Sequence, residues 1–370
     1  MNTNCPTRDQ RSGFRGQRSG VQGSKESIAN WKLQNANCKL RTDSSFILHP
    51  SSFRPGFTLI ELLVTITIIS ILAGISLGAF RYARTAAAEM KTKATIAKLD
   101  AIVMQRYESY MTRRMPIDTN GLTPAQAARS RLEAIRDLIR MEMPERWSDV
   151  INGPLDIYNP LSKPNFKVPE PAFKLACYQR YLQSTADNTL IKNNGGPECL
   201  YLIVSMGNPE AMEQFGQNEI GDVDGDGFPE FIDGWGTPIS FLRWAPGFND
   251  SDVQPNISRS WNDAPAIAQR QQATTYDHDP FDPQSVDVEQ AEDPNNLSSR
   301  KVPTGWRLVP LIYSFGPDKK EGIYAASVYK YQGNPYETIS GSGGIPVGIG
   351  TPNDTGQHVD NIHNHRIEQK

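Results

Sequence analysis

Acidic side chains carry most of the chemistry legible in this sequence. The stretch GDVDGDGFPEFID, residues 221–233, sets Asp222, Asp224 and Asp226 at alternate positions with Gly227 directly after them. A calcium loop spaces its first carboxylates and its turn glycine in this way, which puts Glu230 and Asp233 at the ninth and twelfth positions. Phe228 then offers its backbone carbonyl from the seventh. Calcium takes about six to eight hard oxygens at adaptable distances, and alternating carboxylates on a glycine-turned loop supply them. The departures are specific. The twelfth position is Asp instead of Glu, Pro229 removes a backbone donor, and Gly234-Trp235-Gly236 denies the loop an exit helix. A solitary calcium loop and a solvated Asp/Gly turn feeding a strand are the two readings.

Another carboxylate stands in less expected company. Glu61, within RPGFTLIELL, is the one charge in the 24 residues from Phe57 to Phe80. About 20 apolar residues suffice to cross a bilayer as a helix, and an ionised group inside such a helix costs roughly 2.5–3.5 kcal/mol. No proline occurs from Phe57 to Met115, so nothing stops the helix where the apolar run ends. Beyond Arg81, Ile96, Leu99, Val103, Tyr107 and Tyr110 recur at helical spacing and form one stripe. The elements that position Glu61 are therefore a membrane half, residues 57–80, and an amphipathic half, residues 81–115, closed at Pro116. A signal peptide is excluded by the length of the apolar core and by the lack of a small-residue cleavage site after it. A plain signal anchor explains the length and the basic flank, but neither Gly56 nor Glu61.

The segment Gly56-Phe57-Thr58-Leu59-Ile60-Glu61 resembles the cleavage and methylation motif of type IV prepilins and type II secretion pseudopilins. The resemblance implies that a prepilin peptidase cuts after Gly56 and methylates the amine of Phe57. It implies that Glu61, fifth in the mature chain, pairs with the N-terminal amine of a neighbouring subunit during assembly. The mutual neutralisation of carboxylate and ammonium removes most of the cost of burying either in lipid. Asp233-Gly234-Trp235-Gly236-Thr237-Pro238 is similar to the D-x-W-G-x-P segment of major G-type pseudopilins. Tyr313-Ser314-Phe315-Gly316-Pro317-Asp318 and the later Asp360-Asn361-Ile362 are similar to their late loops, where a structural calcium is held. By that match Asp318 and Asp360 are calcium candidates.

The resemblance implies an α+β, pilin-like fold, in which a long N-terminal helix packs on a small antiparallel sheet with large loop and helix insertions. It implies further that residues 1–56 are a basic leader removed on processing and that 116–370 form a periplasmic globular domain. The implied protein is a structural subunit and no enzyme. It is anchored by a single pass in the bacterial inner membrane with its N-terminus cytoplasmic. It assembles with itself or other pseudopilins, and meets the peptidase, the inner-membrane secretion platform and the lipid bilayer. A type IV pilin or minor pilin, and a membrane-anchored calcium-binding domain that never polymerises, are the alternatives.

Composition fits this division. Residues 1–56 carry a net charge of +6 and the remainder −9, so no basic surface for nucleic acid is expected on the body. The leader's charge favours a cytoplasmic N-terminus. Nucleotide-loop, zincin and CxxC motifs are absent. Cys177 and Cys199 of the body are either one bridge, worth roughly 3 kcal/mol in an oxidising compartment, or two separate buried thiols. Thr123-Pro124 opens a capped helix ending before Pro144, whose Arg129, Arg131, Arg136 and Arg140 read as a solvated face. Proline-rich residues 151–175 read as a connector, and 271–299 as a mobile acidic loop. Residues 199–206, 237–244, 306–316 and 322–331 are the strand candidates. His358, His363 and His365 read as an exposed polar tail.

Overall fold

The stripe from Ile96 to Tyr110 needs an apolar surface to lie against, and the fold is built around supplying one. The computed structural model describes residues 56–151, 195–259, 261, 263–289, 302–303, 305–325, 335–336, 338–353 and 356–369. These fall into two compact units, one ending at Leu63 and the other beginning at Val64. Helix α1 runs Leu59–Ser109, and a 3-10 turn, Tyr110–Thr112, follows. The helical conformation thus ends before Pro116, with Arg113 already extended.

Within the second unit, every α1 residue from Val64 to Thr85 is exposed, and burial sets in at Thr92. Ile96, Leu99, Val103, Tyr107 and Tyr110 are all buried, each contributing about 1.5–3 kcal/mol of transfer free energy. The two tyrosines keep their polar ends satisfied: Tyr107 donates to the Leu308 carbonyl at 3.0 Å and Tyr110 to Glu142 at 2.8 Å. Lys98 pairs with Glu219 at 3.0 Å, and Thr95 donates to the same carboxylate at 2.6 Å.

Helix α2, Pro124–Glu142, opens on a capping box between Thr123 and Gln126. It is followed by α3, Trp147–Ile151, and by α4, Gly195–Gly207. The strands are short: β1 Ile220–Gly221, β2 Glu230–Phe231, β3 Ser240–Leu242, β4 Val288–Glu289, β5 Val302–Pro303, β6 Leu311–Ser314, β7 Thr338–Ser340, β8 Pro346–Gly348 and β9 Ile362–His363. Helix α5, Ala264–Tyr276, lies between β3 and β4. Strands β3, β6 and β9 make one antiparallel sheet with β6 central, pairing Phe241 with Ile312 and Tyr313 with His363. The pairs β1–β2, β4–β5 and β7–β8 are separate antiparallel ribbons. The chain is therefore α+β, with a long apolar N-terminal helix and small antiparallel sheets.

Several expectations change. Residues 199–206 are helix α4, not strand. Leu200, Ile203 and Val204 face the main core while Cys199 and Leu202 face a second cluster with Trp147, Val150 and Phe228. A helix buried on two faces loses the polar stripe that would have revealed its period. Residues 237–244 and 306–316 contain β3 and β6, whereas Ile323 makes an isolated bridge with Pro352 and residues 326–331 lie outside the described set. The connector at 152–175 lies outside it as well.

Of the α2 arginines, Arg129 and Arg131 are exposed, but Arg136 and Arg140 are buried. Arg136 binds Asp287 at 2.7 Å and Asp279 at 3.1 Å, and Arg140 approaches Asp149 at 3.2 Å. These carboxylates neutralise the two guanidiniums, so the expected acidic loop is structured where it is described. Residues 271–276 finish α5, and Asp279 and Asp282 are buried.

Two of the three C-terminal histidines are also internal, and His358 is half-buried. His363 and His365 are buried, and both meet the Phe248 ring edge-on at 5.0 and 5.5 Å. Burial, then the neighbouring His363, hold His365 down to about 3, against the Pro310 and Val309 carbonyls and Asp250. In the unfolded chain an imidazole titrates near 6.5. Below that pH the unfolded state takes up a proton that the folded state refuses, so this stability is complete above about 6.5 and is lost on acidification. The melting temperature between pH 7.5 and 5 should fall more steeply for the native chain than for His365→Gln.

The turn after β2 comes directly against α1. A Cβ on Gly234 would sit 2.2 Å from the Ala88 carbonyl oxygen, and the Gly234 amide donates to Thr92 Oγ1 at 2.9 Å. Gly234→Ala must therefore displace backbone. It should destabilise the protein by about 1–3 kcal/mol in chemical denaturation.

Candidate functional site

Two groups of carboxylates are placed to act. The first is Glu61, in the N-terminal unit. Thr58 directly precedes α1, and its backbone N–H and hydroxyl both donate to Glu61 Oε2 at 2.8 Å. The Glu61 N–H returns a bond to Thr58 Oγ1 at 3.3 Å. This reciprocal pattern is a capping box: a hydroxyl residue and a Glu three positions later satisfy each other's backbone groups at a helix start. The signal was present in the sequence as Thr58-x-x-Glu61, and the membrane reading passed over it. Gly56 and Phe57 are exposed, with Phe57 at 82%.

The second group lies in the β1–β2 loop. Asp222 accepts from the Gly225 N–H at 2.7 Å through one oxygen and from the Gly227 N–H at 3.0 Å through the other. Both glycines hold positive φ, +78° and +92°, which side chains resist. Asp226 accepts from Phe228 at 2.8 Å, and the Phe228 ring packs 4.6 Å from Trp147, fixing the loop against α3 and α4. One oxygen each of Asp222, Asp224 and Asp226 lie within 4.8 Å of one another. A second trio, Glu198, Asp224 and Glu230, meets the same limit. Glu198 comes from the first turn of α4 and no sequence argument had singled it out. A lone Glu 26 residues upstream carries no signal that it will meet the loop.

Charge crowding is visible in the titration of these groups. Burial, then the negative charges of Asp226, Asp224 and Glu230, push Glu198 up to about 9, against a hydrogen bond from Trp147. Burial and the three aspartates raise Glu230 to about 7, opposed by the Val223 N–H, and Asp226 shifts upward chiefly through burial. Hard oxygen ligands concentrated this way suit calcium-class ions.

Asp233, expected at the loop's twelfth position, points elsewhere. It is buried, and one oxygen accepts from the Trp235 and Thr237 N–H groups at 2.8 Å while the other accepts from Ser314 Oγ at 2.7 Å. The D-x-W-G-x-P and Y-S-x-G-x-D segments thus touch through Asp233 and Ser314. At the second candidate site Asp318 and Asp360 do come together. The Asp318 N–H donates to Asp360 at 3.3 Å, and the Lys320 N–H donates to Asp318 at 2.8 Å. No third carboxylate, histidine or cysteine joins them among the described residues. Cys199 is buried beside Trp147 and Phe228, and Cys177 lies outside the described residues, so their bridge does too.

Comparison with known proteins adds one finding. A family model described as a prokaryotic N-terminal methylation motif matches residues 53–77. Neither a curated protein nor a solved structure matches the chain. The chain thus carries a prokaryotic N-terminal methylation motif on a helix long and apolar enough to cross a membrane, the arrangement of pilin-like proteins.

Because Asp233 serves backbone donors, its removal should act on folding. Asp233→Ala orphans three donors and should cost about 3 kcal/mol in denaturant unfolding, by the same amount in calcium and in chelator.

Proposed function

We propose that this protein is a structural pseudopilin of a type II secretion system. Prepilin peptidase cuts after Gly56 and methylates Phe57, and the mature chain is held in the inner membrane with its body in the periplasm. The observation that carries the reading is the methylation motif over residues 53–77, with Glu61 fifth after Gly56 on an exposed apolar helix. Subunits extracted from the bilayer by the secretion platform pack their apolar helices against one another. Contact among side chains from Phe57 to Phe80 then replaces contact with lipid.

Glu61 has two roles in this scheme. In the single chain it caps α1 through Thr58. In the fibre its carboxylate also receives the charged amine of a neighbour's Phe57, and the pair is buried as a neutral unit. The D-x-W-G-x-P and Y-S-x-G-x-D segments favour the pseudopilin over a type IV pilin. A structural calcium at the Asp222-Asp224-Asp226 loop, with the Phe228 carbonyl, belongs to the same reading, and Asp318 with Asp360 is its second candidate.

Substitution separates the cap from the charge. Glu61→Gln keeps an acceptor for Thr58 but cannot neutralise an ammonium. It should be processed to N-methylated Phe57, as read by mass, remain in the membrane, and yield at least tenfold fewer fibres by electron microscopy. Normal fibres from Glu61→Gln would reduce the residue to a helix cap. A mature N-terminus other than Phe57 would remove the whole reading.

A further inference from the structure

Glu198 is a carboxylate with no exposure in the first turn of α4. Its Oε2 accepts from the Trp147 indole N–H, and its Oε1 has no hydrogen-bond donor. Glu230, equally buried at the start of β2, accepts from the Val223 N–H at 3.1 Å through Oε2, and its Oε1 also lacks a donor. Leaving one such buried oxygen unsatisfied costs about 1–3 kcal/mol, and more when the group is charged. One carboxylate oxygen each of Glu198, Asp224 and Glu230 lie within 4.8 Å of one another. Opposite oxygens around a calcium ion are separated by up to about 5 Å, so a single ion reaches all three.

We propose that Glu198, Asp224 and Glu230 bind a calcium-class divalent cation that fastens the N-terminus of α4 to the β1–β2 loop. The set is all carboxylate, with neither imidazole nor thiolate, which selects hard oxygen-loving ions over zinc or copper. Three carboxylates, two of them buried, supply the attraction, and the ion serves the oxygens of Glu198 and Glu230 that no hydrogen-bond donor reaches. This site differs from the one expected of the loop alone, because Asp222 and Asp226 are replaced by a helix residue distant in sequence. It deepens the calcium part of the proposed function and is independent of the assembly part. By mass action the bound ion stabilises only the folded state, so α4, α3 through Trp147, and the β1–β2 ribbon are locked together when calcium is present.

Trp147 makes the site observable, since its indole is hydrogen-bonded to a ligand and can sensitise bound terbium. The full chain, purified from membranes in detergent, is titrated with terbium(III) and then with calcium under tryptophan excitation. The expected result is saturable emission that calcium displaces. Glu198→Gln retains an acceptor for Trp147 and should weaken calcium binding at least tenfold by calorimetry, and Glu230→Gln should do the same. In chelator both variants should melt no lower than the native chain, because each replaces an incompletely satisfied buried carboxyl with a neutral amide. Trp147→Phe should lose most of the emission, which assigns the signal to this indole. Unchanged calcium affinity in either glutamine variant overturns the proposal. If Asp222→Asn then abolishes binding, the ion sits in the loop alone. No displaceable terbium emission from the native chain also overturns it.

Discussion

The body of this protein depends on one close approach, the turn at Asp233-Gly234 against the middle of α1. Gly234 touches the Ala88 backbone, where a single added methyl has no room, and Thr92 closes the contact with a hydrogen bond. Asp233 next to it binds the turn's own N–H groups and the Ser314 hydroxyl of β6. A buried carboxylate with all its partners in place is a rigid cross-link, while the same group without them would be a liability. Helix, turn and central strand are therefore fixed relative to each other at one point, and the α1 stripe below it fills the core.

That cross-link also accounts for a division of labour among carboxylates that look alike in sequence. Asp222 organises its own loop, Asp233 holds the fold, and Glu61 caps a helix start. Glu198, Asp224 and Glu230 are the group whose oxygens gather with too few donors between them. Protein donors satisfy the structural acids, and an incompletely satisfied buried cluster is where an ion is worth most. The burial of Arg136 and Arg140 follows the same logic with the signs reversed. Each is tolerable inside because aspartates from distant segments arrive to meet it.

The N-terminal half of α1 obeys a different solvent. Its apolar side chains from Leu59 to Phe80 are exposed in the single chain, and a helix satisfies its own backbone in lipid. Such a helix needs no partner to satisfy its backbone there. The cost that remains is that of Glu61, the one charge it carries there.

Much of this was legible from residue order alone, for a common reason: the features are local. The apolar run, the stripe from Ile96 to Tyr110, the Thr123-Pro124 cap, the methylation motif and the Asp/Gly loop are each defined by neighbours within a few residues. Helical period, turn chemistry and capping act over that range. What the tertiary structure decided is long-range. Residues 199–206 became helix because two separate clusters bury opposite faces of it, erasing the alternation that distinguishes strand from helix. His363 and His365 went inside because β9 pairs with β6, which a polar C-terminal sequence does not disclose. Glu198 joined Asp224 and Glu230 for the same reason. A side chain's partners across the fold are set by packing, and no spacing along the chain encodes them.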